Sequence, residues 1–450
     1  MQSKGIDLEL SMDWLDFGVL PSEEAATSGM LKIRLENRFA SQHYDFSSKT
    51  VVDYAKVSGY PMALWVAYYW WRLNYEPLSG EPSYYWKSAH DLPSAGCGYV
   101  WPPLRIVSGG DAISLRVMPP ANTETKADAY YGSTAWGITM PQVLFESVLN
   151  DFVTMIVARL DDTGHRKTEL HALWHDVCCE RKNKDNTFYR ILEACLGHNP
   201  DEGPENLINK LANHAAAAGR QAVIEIAVGM SGEAANINNE NSLADVLDIR
   251  GQGLRGKFDY GKFEHDITTD QRLDKPWTTG HNMARALRKH LSLDGKPIDD
   301  QIMADLLGIS AEAISSDQVV EPLKRINMSL GLPTDDGRVH LCLHHPHRPA
   351  RRFYLSRLLG EHLLNVNAQA SWLPATFGAT WRQKYQRAFA SEFLCPISAL
   401  RERLDSDGFY DEYEMERAAR DYGIGTLSVL NHWNYNHTKT VNIFEDKYSH

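Results

Sequence analysis

The chain has 450 residues, enough for two or three domain cores, and its 43% apolar and 23% charged residues are the proportions of a globular protein. A net charge of −12 gives no global attraction to nucleic acid or to an anionic membrane. No uncharged apolar run reaches about 18 residues, and no basic region leads into an apolar one at the N-terminus, so neither a membrane span nor a signal peptide is expected. The six cysteines (97, 178, 179, 195, 342 and 395) follow no disulfide spacing and read as reduced thiols of a cytoplasmic protein.

Residues 1–135 read as a mixed α/β domain. Asp7 to Phe17 holds a short alternating strand, and Met30 to Glu36 a second with Leu31, Ile33 and Leu35 on one side. Pro61 to Tyr75 is apolar almost all round and predicts a buried helix. Leu104–Val107 and Ile113–Val117 flank Ser108-Gly109-Gly110-Asp111, a hairpin signal. The aromatic residues of this region read as core. A base-stacking platform needs interleaved basic residues, and Arg72 and Lys87 stand nearly alone.

Residues 136–247 read as a helical domain. Helical periodicity covers Pro141–Leu160, Glu169–Glu180, Thr187–Leu196, Pro204–Ala218 and Arg220–Val228, with Gly or Pro in the gaps. His171, His175, Cys178 and Cys179 are zinc-ligand types at helical spacing. Structural zinc sites usually join two separated ligand pairs, and one helix supplies all four here, so no metal is expected. Zinc on His171, His175 and Cys178 is the alternative. Residues 248–275 read as a linker. Gly251 to Gly256 matches the spacing G-x-G-x-x-G, but a polar stretch precedes it and Lys257-Phe258-Asp259-Tyr260 follows, so a strand-to-helix phosphate turn is rejected.

Residues 276–450 form the last expected domain. Gly280–Arg288 and Ile298–Ile309 predict helices, and His340–Leu343 a strand. A basic loop follows, with His344, His345, His347, Arg348, Arg351 and Arg352; it reads first as a solvated polar loop, with an anion or phosphate contact as the minority reading. Two longer helices are expected over Arg352–Leu364 and Gln383–Pro396. A helix-turn-helix outline over Asp411–Asn436 places Met415, Ala418 and Ala419 on one face. Its acidic surroundings and its Thr426-Leu427-Ser428-Val429 start make it a packing motif and not a DNA reader.

Several of these residues resemble the ImmA/IrrE family of metallo-endopeptidases. They are Arg352-Phe353 leading into the first long helix, Gly360, the run Phe389-Ala390-x-Glu392-Phe393-Leu394-x-Pro396, and the terminal helical pair. The likeness covers roughly residues 276–436. Residues 1–247 resemble the N-terminal part of long, ligand-deficient members. The resemblance implies a mostly helical α+β chain whose last domain is of zincin type. A zincin carries two histidines four residues apart with a glutamate general base after the first. In the aligned positions stand Arg357, Leu358 and Glu361, and the third ligand falls near Gln383 or Lys384. None of these residue sets can hold zinc and activate water. Arg357 and Glu361, at i,i+4, are expected on one helix face, pairing directly or facing the old metal position; the alternative is that both are solvated.

The family is one of bacterial regulators beside stress, mobile-element, toxin–antitoxin and phage-defence functions. The resemblance therefore implies a cytoplasmic pseudo-peptidase that needs no cofactor and acts by binding a protein partner. His344, His345, His347, Arg348, Arg351 and Arg352 would flank a groove whose edge is His340–Leu343. Two alternatives stay open at this point. One is an active zinc peptidase using His340, His344, His345, His347 or His362. The other is a subunit of a nucleic-acid-targeting defence complex, with nucleic acid bound only in that complex.

Overall fold

A computed structural model describes residues 7–15, 22–119, 129–132, 134–231, 249, 252–263, 275–365, 371–404 and 412–437. It is 53% helix and 17% strand, so the mostly helical α+β class expected from the sequence holds. Asp16 and Phe17 of the first expected strand, Asp411 of the helical pair, and Asp248, Arg250, Gly251 and 264–274 of the expected linker lie outside the described residues.

The chain divides into two compact units, Met1–Gly203 and Pro204–His450. In the first, β1 (Leu8–Trp14) pairs antiparallel with β2 (Ser28–Leu35), Leu10 opposite Ile33 and Met12 opposite Leu31. Leu31, Ile33 and Leu35 are completely buried, so alternation in the sequence decides which face of the sheet is core. A short helix α1 (Ser22–Ala26) precedes β2. The strands β3 (Arg38–Phe39), β4 (His43–Asp45), β5 (Thr50–Val52) and β6 (Ala55–Ser58) follow, with β3 and β6 also on β2.

The expected helix Pro61–Tyr75 is two helices, α2 (Gly59–Tyr68) and α3 (Trp70–Tyr75). They part at Tyr69, whose φ of −100° and ψ of 17° interrupt the spiral. Periodicity misses this break because the apolar character runs through it. Trp65, Trp70 and Trp71 are buried, and Arg72 is buried with them, its guanidinium 2.6 Å from Glu76. After α4 (Tyr84–His90), the hairpin of β7 (Leu104–Ser108) and β8 (Ala112–Val117) turns through Gly110 at φ +85°. Next come β9 (Ala129–Tyr131), which pairs with β4, and β10 (Trp136–Pro141), which pairs with β8.

That last pairing moves the expected boundary at residue 135. β10 runs directly into α5 (Gln142–Asp162), whose Leu149, Phe152, Val153 and Ile156 are buried in the same unit, as are α6 (Glu169–Lys182) and α7 (Lys184–Cys195). The helices expected over 136–247 are present, but α8 (Glu205–Ala218) and α9 (Arg220–Gly229) belong to the second unit.

The second unit holds a four-stranded antiparallel sheet in the order β11 (Leu254–Gly256), β13 (Val339–Cys342), β12 (Ser329–Pro333), β14 (Leu373–Ala375). β11 falls inside the expected linker, so residues 254–256 are sheet. Gly256 is there for packing, since a Cβ would meet the Leu307 carbonyl oxygen at 2.3 Å. The helices are α10 (Pro276–His290), α11 (Asp300–Leu307), α12 (Ala311–Ser315), α13 (Glu321–Arg325), α14 (Arg348–Leu364), α15 (Trp381–Leu394), α16 (Ile397–Arg403), α17 (Glu412–Tyr422) and α18 (Thr426–His437). Among the described residues no helix is long and apolar enough to cross a membrane.

The core of this unit is built on α15. Phe389 and Phe393 are buried against Leu355 and Leu359 of α14, as their spacing predicts. Two glycines let the helices approach. A Cβ on Gly360 of α14 would meet the Phe389 ring at 2.8 Å, and one on Gly280 of α10 would meet the Tyr385 carbonyl oxygen at 2.6 Å. Phe389→Ala is expected to lower stability by about 3–5 kcal/mol, as a buried aromatic truncation does. Gly360→Ala is expected to destabilise as well, because the ring has no open side to move into. Urea unfolding midpoints of the two variants check both; unchanged midpoints would contradict this packing.

Candidate functional site

Arg357, Glu361 and Gln383, the residues that the resemblance sets against a metal, lie where α14, α15, β14 and α9 meet, among buried hydrogen-bonded side chains. Thr380 caps α15, its hydroxyl accepting from Gln383 N at 3.2 Å, and this starts the helix so that Arg382, Gln383 and Gln386 point inward. On the facing helix, Arg357 and Glu361 share one side, at 1% and 2% exposure. They do not pair with each other as expected. Arg357 donates through Nη2 to the Thr376 carbonyl and to Gln383 Oε1, both at 2.6 Å. Glu361 instead receives Arg382, Nη2 to Oε1 at 2.7 Å, while Gln386 Nε2 donates to its other oxygen at 2.9 Å. The i,i+4 pairing fails because the partner across the helix seam offers a two-nitrogen contact that an adjacent turn does not.

The network continues into α9. Gln383 Nε2 donates to Glu225 Oε2 at 3.0 Å and to the Pro374 carbonyl at 3.1 Å, and the Thr380 hydroxyl donates to the same Glu225 oxygen at 2.7 Å. Burial pushes the Glu225 carboxyl up to about 7, against the lowering effect of Thr380, Arg382 and Gln383. Burial likewise lowers Arg357 from the usual arginine range. Glu225 has no counterpart in the sequence reading, since a lone glutamate in Arg220–Val228 looks like one solvated turn of a helix. At the expected third-ligand position the inward residue is Gln383; Lys384 is partly exposed. Leu358 is completely buried among apolar neighbours. These residues do not fit a zinc ion: an arginine head, two glutamines and an arginine-bound carboxylate leave no set of free lone pairs for one.

The basic segment after β13 is mostly structural. The helix begins at Arg348, so Arg351 and Arg352 are helical and not in a loop. Arg351 donates to the carbonyls of Ala313, Ile314 and Gln318, and Arg352 to those of Ile298 and Gly423 and to Asp300. Both are 1% exposed, so neither is available to a partner. His344 is buried on the Ser329 hydroxyl at 2.8 Å, and burial pushes its imidazole down to about 3. His347 and Arg348 are exposed, but Arg348 is held by Asp300 at 2.7 Å; His345 is partly exposed. β13, expected as a groove edge, is central in its sheet, with β11 on one side and β12 on the other.

The other expected ligands do not converge. His171 caps its own helix through Thr168, and His175 Nε2 lies 3.4 Å from Cys179 Sγ, with Cys178 partly buried nearby. His340 lies on β13, and His362 stacks on Phe258 at 4.3 Å. Among the described residues the one group of three His, Cys, Asp or Glu able to meet on an ion is His281, Glu392 and His432. The sequence reading missed it because its members lie on three helices far apart in the chain. Compared with family models, curated proteins and solved structures, the chain matches none of them.

Two outcomes follow from the network. Glu361→Ala is expected to cost about 3–5 kcal/mol, because it strands the buried Arg382 charge. Glu225, with its folded value near 7 against an ordinary 4.5, favours the fold fully below pH 4.5 and loses that contribution as pH rises to 7. His344 and His362, lowered by burial to about 3 and about 4, give the opposite slope up to 6.5. The readout is therefore the difference between wild type and Glu225→Gln. The variant should gain about 3 kcal/mol relative to wild type between pH 4.5 and 8. Parallel stability curves would contradict a buried, proton-holding Glu225.

Proposed function

We propose that this chain is a pseudo-peptidase of the ImmA/IrrE kind that works by binding, as a regulator or subunit of a bacterial stress, toxin–antitoxin or phage-defence system. The observation that carries this reading is the buried, hydrogen-bonded network of Arg357, Glu361, Arg382, Gln383 and Gln386. It occupies the place where the resemblance puts a zinc ion and its water. Most polar atoms there are bonded to another side chain or to the backbone; Arg357 Nε and Gln386 Oε1 are buried exceptions. A lone amide oxygen beside an arginine is no zinc donor set, so the seam joins two helices and has no means of activating water.

The partner surface then has to lie away from the seam and from β13. In the first unit, Tyr68, Tyr84 and Tyr85 are 44%, 89% and 45% exposed. Arg72 lies 4.2 Å above the Tyr85 ring and 5.8 Å from that of Tyr69, and Tyr68 meets Tyr69 edge to face at 4.8 Å. Exposed tyrosines on a rigid base are the residue type that carries binding energy at protein interfaces. A compartment kept reducing suits the six unpaired thiols.

The test has two arms. Full-length protein supplied with zinc is expected to hydrolyse neither denatured casein nor a mixed peptide library above the buffer rate. Quantitative affinity purification from a bacterial host is expected to recover a specific partner that Tyr68→Ala/Tyr84→Ala loses by tenfold or more, with the melting temperature unchanged. Peptide hydrolysis that disappears in Glu361→Gln would overturn the reading.

A further inference from the structure

A second buried polar cluster lies elsewhere in the same unit. His281 of α10, Glu392 of α15 and His432 of α18 are 5%, 1% and 5% exposed. Each offers one ligand-type atom, and the three atoms lie within 4.8 Å of one another. His432 Nε2 is 3.0 Å from Glu392 Oε2, and the two imidazole rings meet edge to face at 5.1 Å. Along α15, ten residues, or about 15 Å of helix, separate Glu392 from the Arg382 of the first network.

We propose that His281, Glu392 and His432 bind a zinc ion as a structural centre that fastens α10, α15 and α18 together. Two imidazoles and one carboxylate are a zinc donor set. Calcium and magnesium demand six or more oxygens, which a single carboxylate does not supply. In a tetrahedral site with bonds of 2.0–2.1 Å the donor atoms stand about 3.3 Å apart. His432 Nε2 and Glu392 Oε2, 3.0 Å apart, are close to that spacing, all three atoms lie within 4.8 Å, and a water would complete the tetrahedron.

The surroundings are those of a ligand shell. Arg285 Nε donates to Glu392 Oε1 at 2.7 Å, and this leaves the other oxygen turned towards the histidines. The Ile397 N–H, at the start of α16, donates to that second oxygen at 3.2 Å. Asn436, one turn beyond His432, donates to its carbonyl at 2.7 Å and sits 3.5 Å from its Nδ1, which leaves Nε2 as the nitrogen facing inward. Such outer contacts fix ring and carboxylate orientation in metal sites. Burial of all three ligands makes the ion part of the core, and α18, the last described helix, would be held by it.

The experiment uses the full-length chain, stripped with a chelator, dialysed, and titrated with zinc chloride alone. One zinc per chain is expected by elemental analysis and calorimetry, with a rise in melting temperature that the chelator reverses. X-ray absorption of the zinc form should show a nitrogen/oxygen shell near 2.0–2.1 Å with scattering from two imidazoles. His281→Gln/His432→Gln should lose stoichiometric uptake, and Arg285→Ala should weaken it by about 10–100-fold. If the double variant does not fold, the absorption spectrum of the wild type decides. No uptake by the folded stripped chain would overturn the site. So would zinc without imidazole scattering, or zinc that survives the double variant. The inference is independent of the binding role: peptide hydrolysis would remove that role and leave the zinc, and absence of zinc would leave the role.

Discussion

The second unit depends on how tightly α15 is held against α14, and a buried ion pair decides that. Glu361 and Arg382 face each other at 2.7 Å with under a tenth of either side chain exposed. Removing both charges from water costs several kcal/mol per ion, which the pair's attraction offsets only when the leftover donors and acceptors are also bonded. They are: Gln386 and Asn365 take the remaining Glu361 positions, and Asn365 Oδ1 accepts from Arg382 at 2.6 Å. Such a pair adds more to register than to stability. It fixes which turn of α15 meets which turn of α14, while the Gly360–Phe389 contact fixes how close they come.

The same arrangement bears on function. A zincin site needs lone pairs pointing into an open position, and here the aligned residues are donors, or acceptors already in use. Glu225 carries this further, since a buried carboxylate beside Gln383 and Thr380 would be a plausible ligand type on composition alone. Its Oε2 already accepts from Thr380 and Gln383, and burial outweighs these bonds to raise its carboxyl to about 7, so it belongs to the network and not to an open ligand shell. Under the proposed reading the helices serve for their shape, and the seam between them holds them together without catalytic chemistry.

Much of the fold was legible because burial writes a period into sequence. Leu31, Ile33 and Leu35 announced a one-sided strand, and Leu355, Leu359, Phe389 and Phe393 announced two facing helices. What periodicity could not show was pairing between distant segments. β11 looked like linker because three residues of strand carry no pattern of their own, and its partner lies some 85 residues on. Arg351 and Arg352 read as part of a basic loop beside a groove because a charge count does not reveal that carbonyls of α12, of Gly423 just after α17 and of the chain before α11 wait for them. The candidate site was half visible. The i,i+4 spacing of Arg357 and Glu361 shows their shared face, which is buried. It does not show their partners, because Arg382 and Gln386 read as the polar side of an amphipathic helix.

A double-mutant cycle between Glu361 and Arg382 measures the claim on which this account rests. Unfolding free energies of Glu361→Gln, Arg382→Gln and the double variant isolate the pair from the changes each substitution makes alone. A coupling of about 1.5 kcal/mol or more is expected for a desolvated, two-nitrogen contact. Coupling near zero would mean that the two groups do not hold α14 to α15, and that something other than this pair fills the position where the resemblance places a metal.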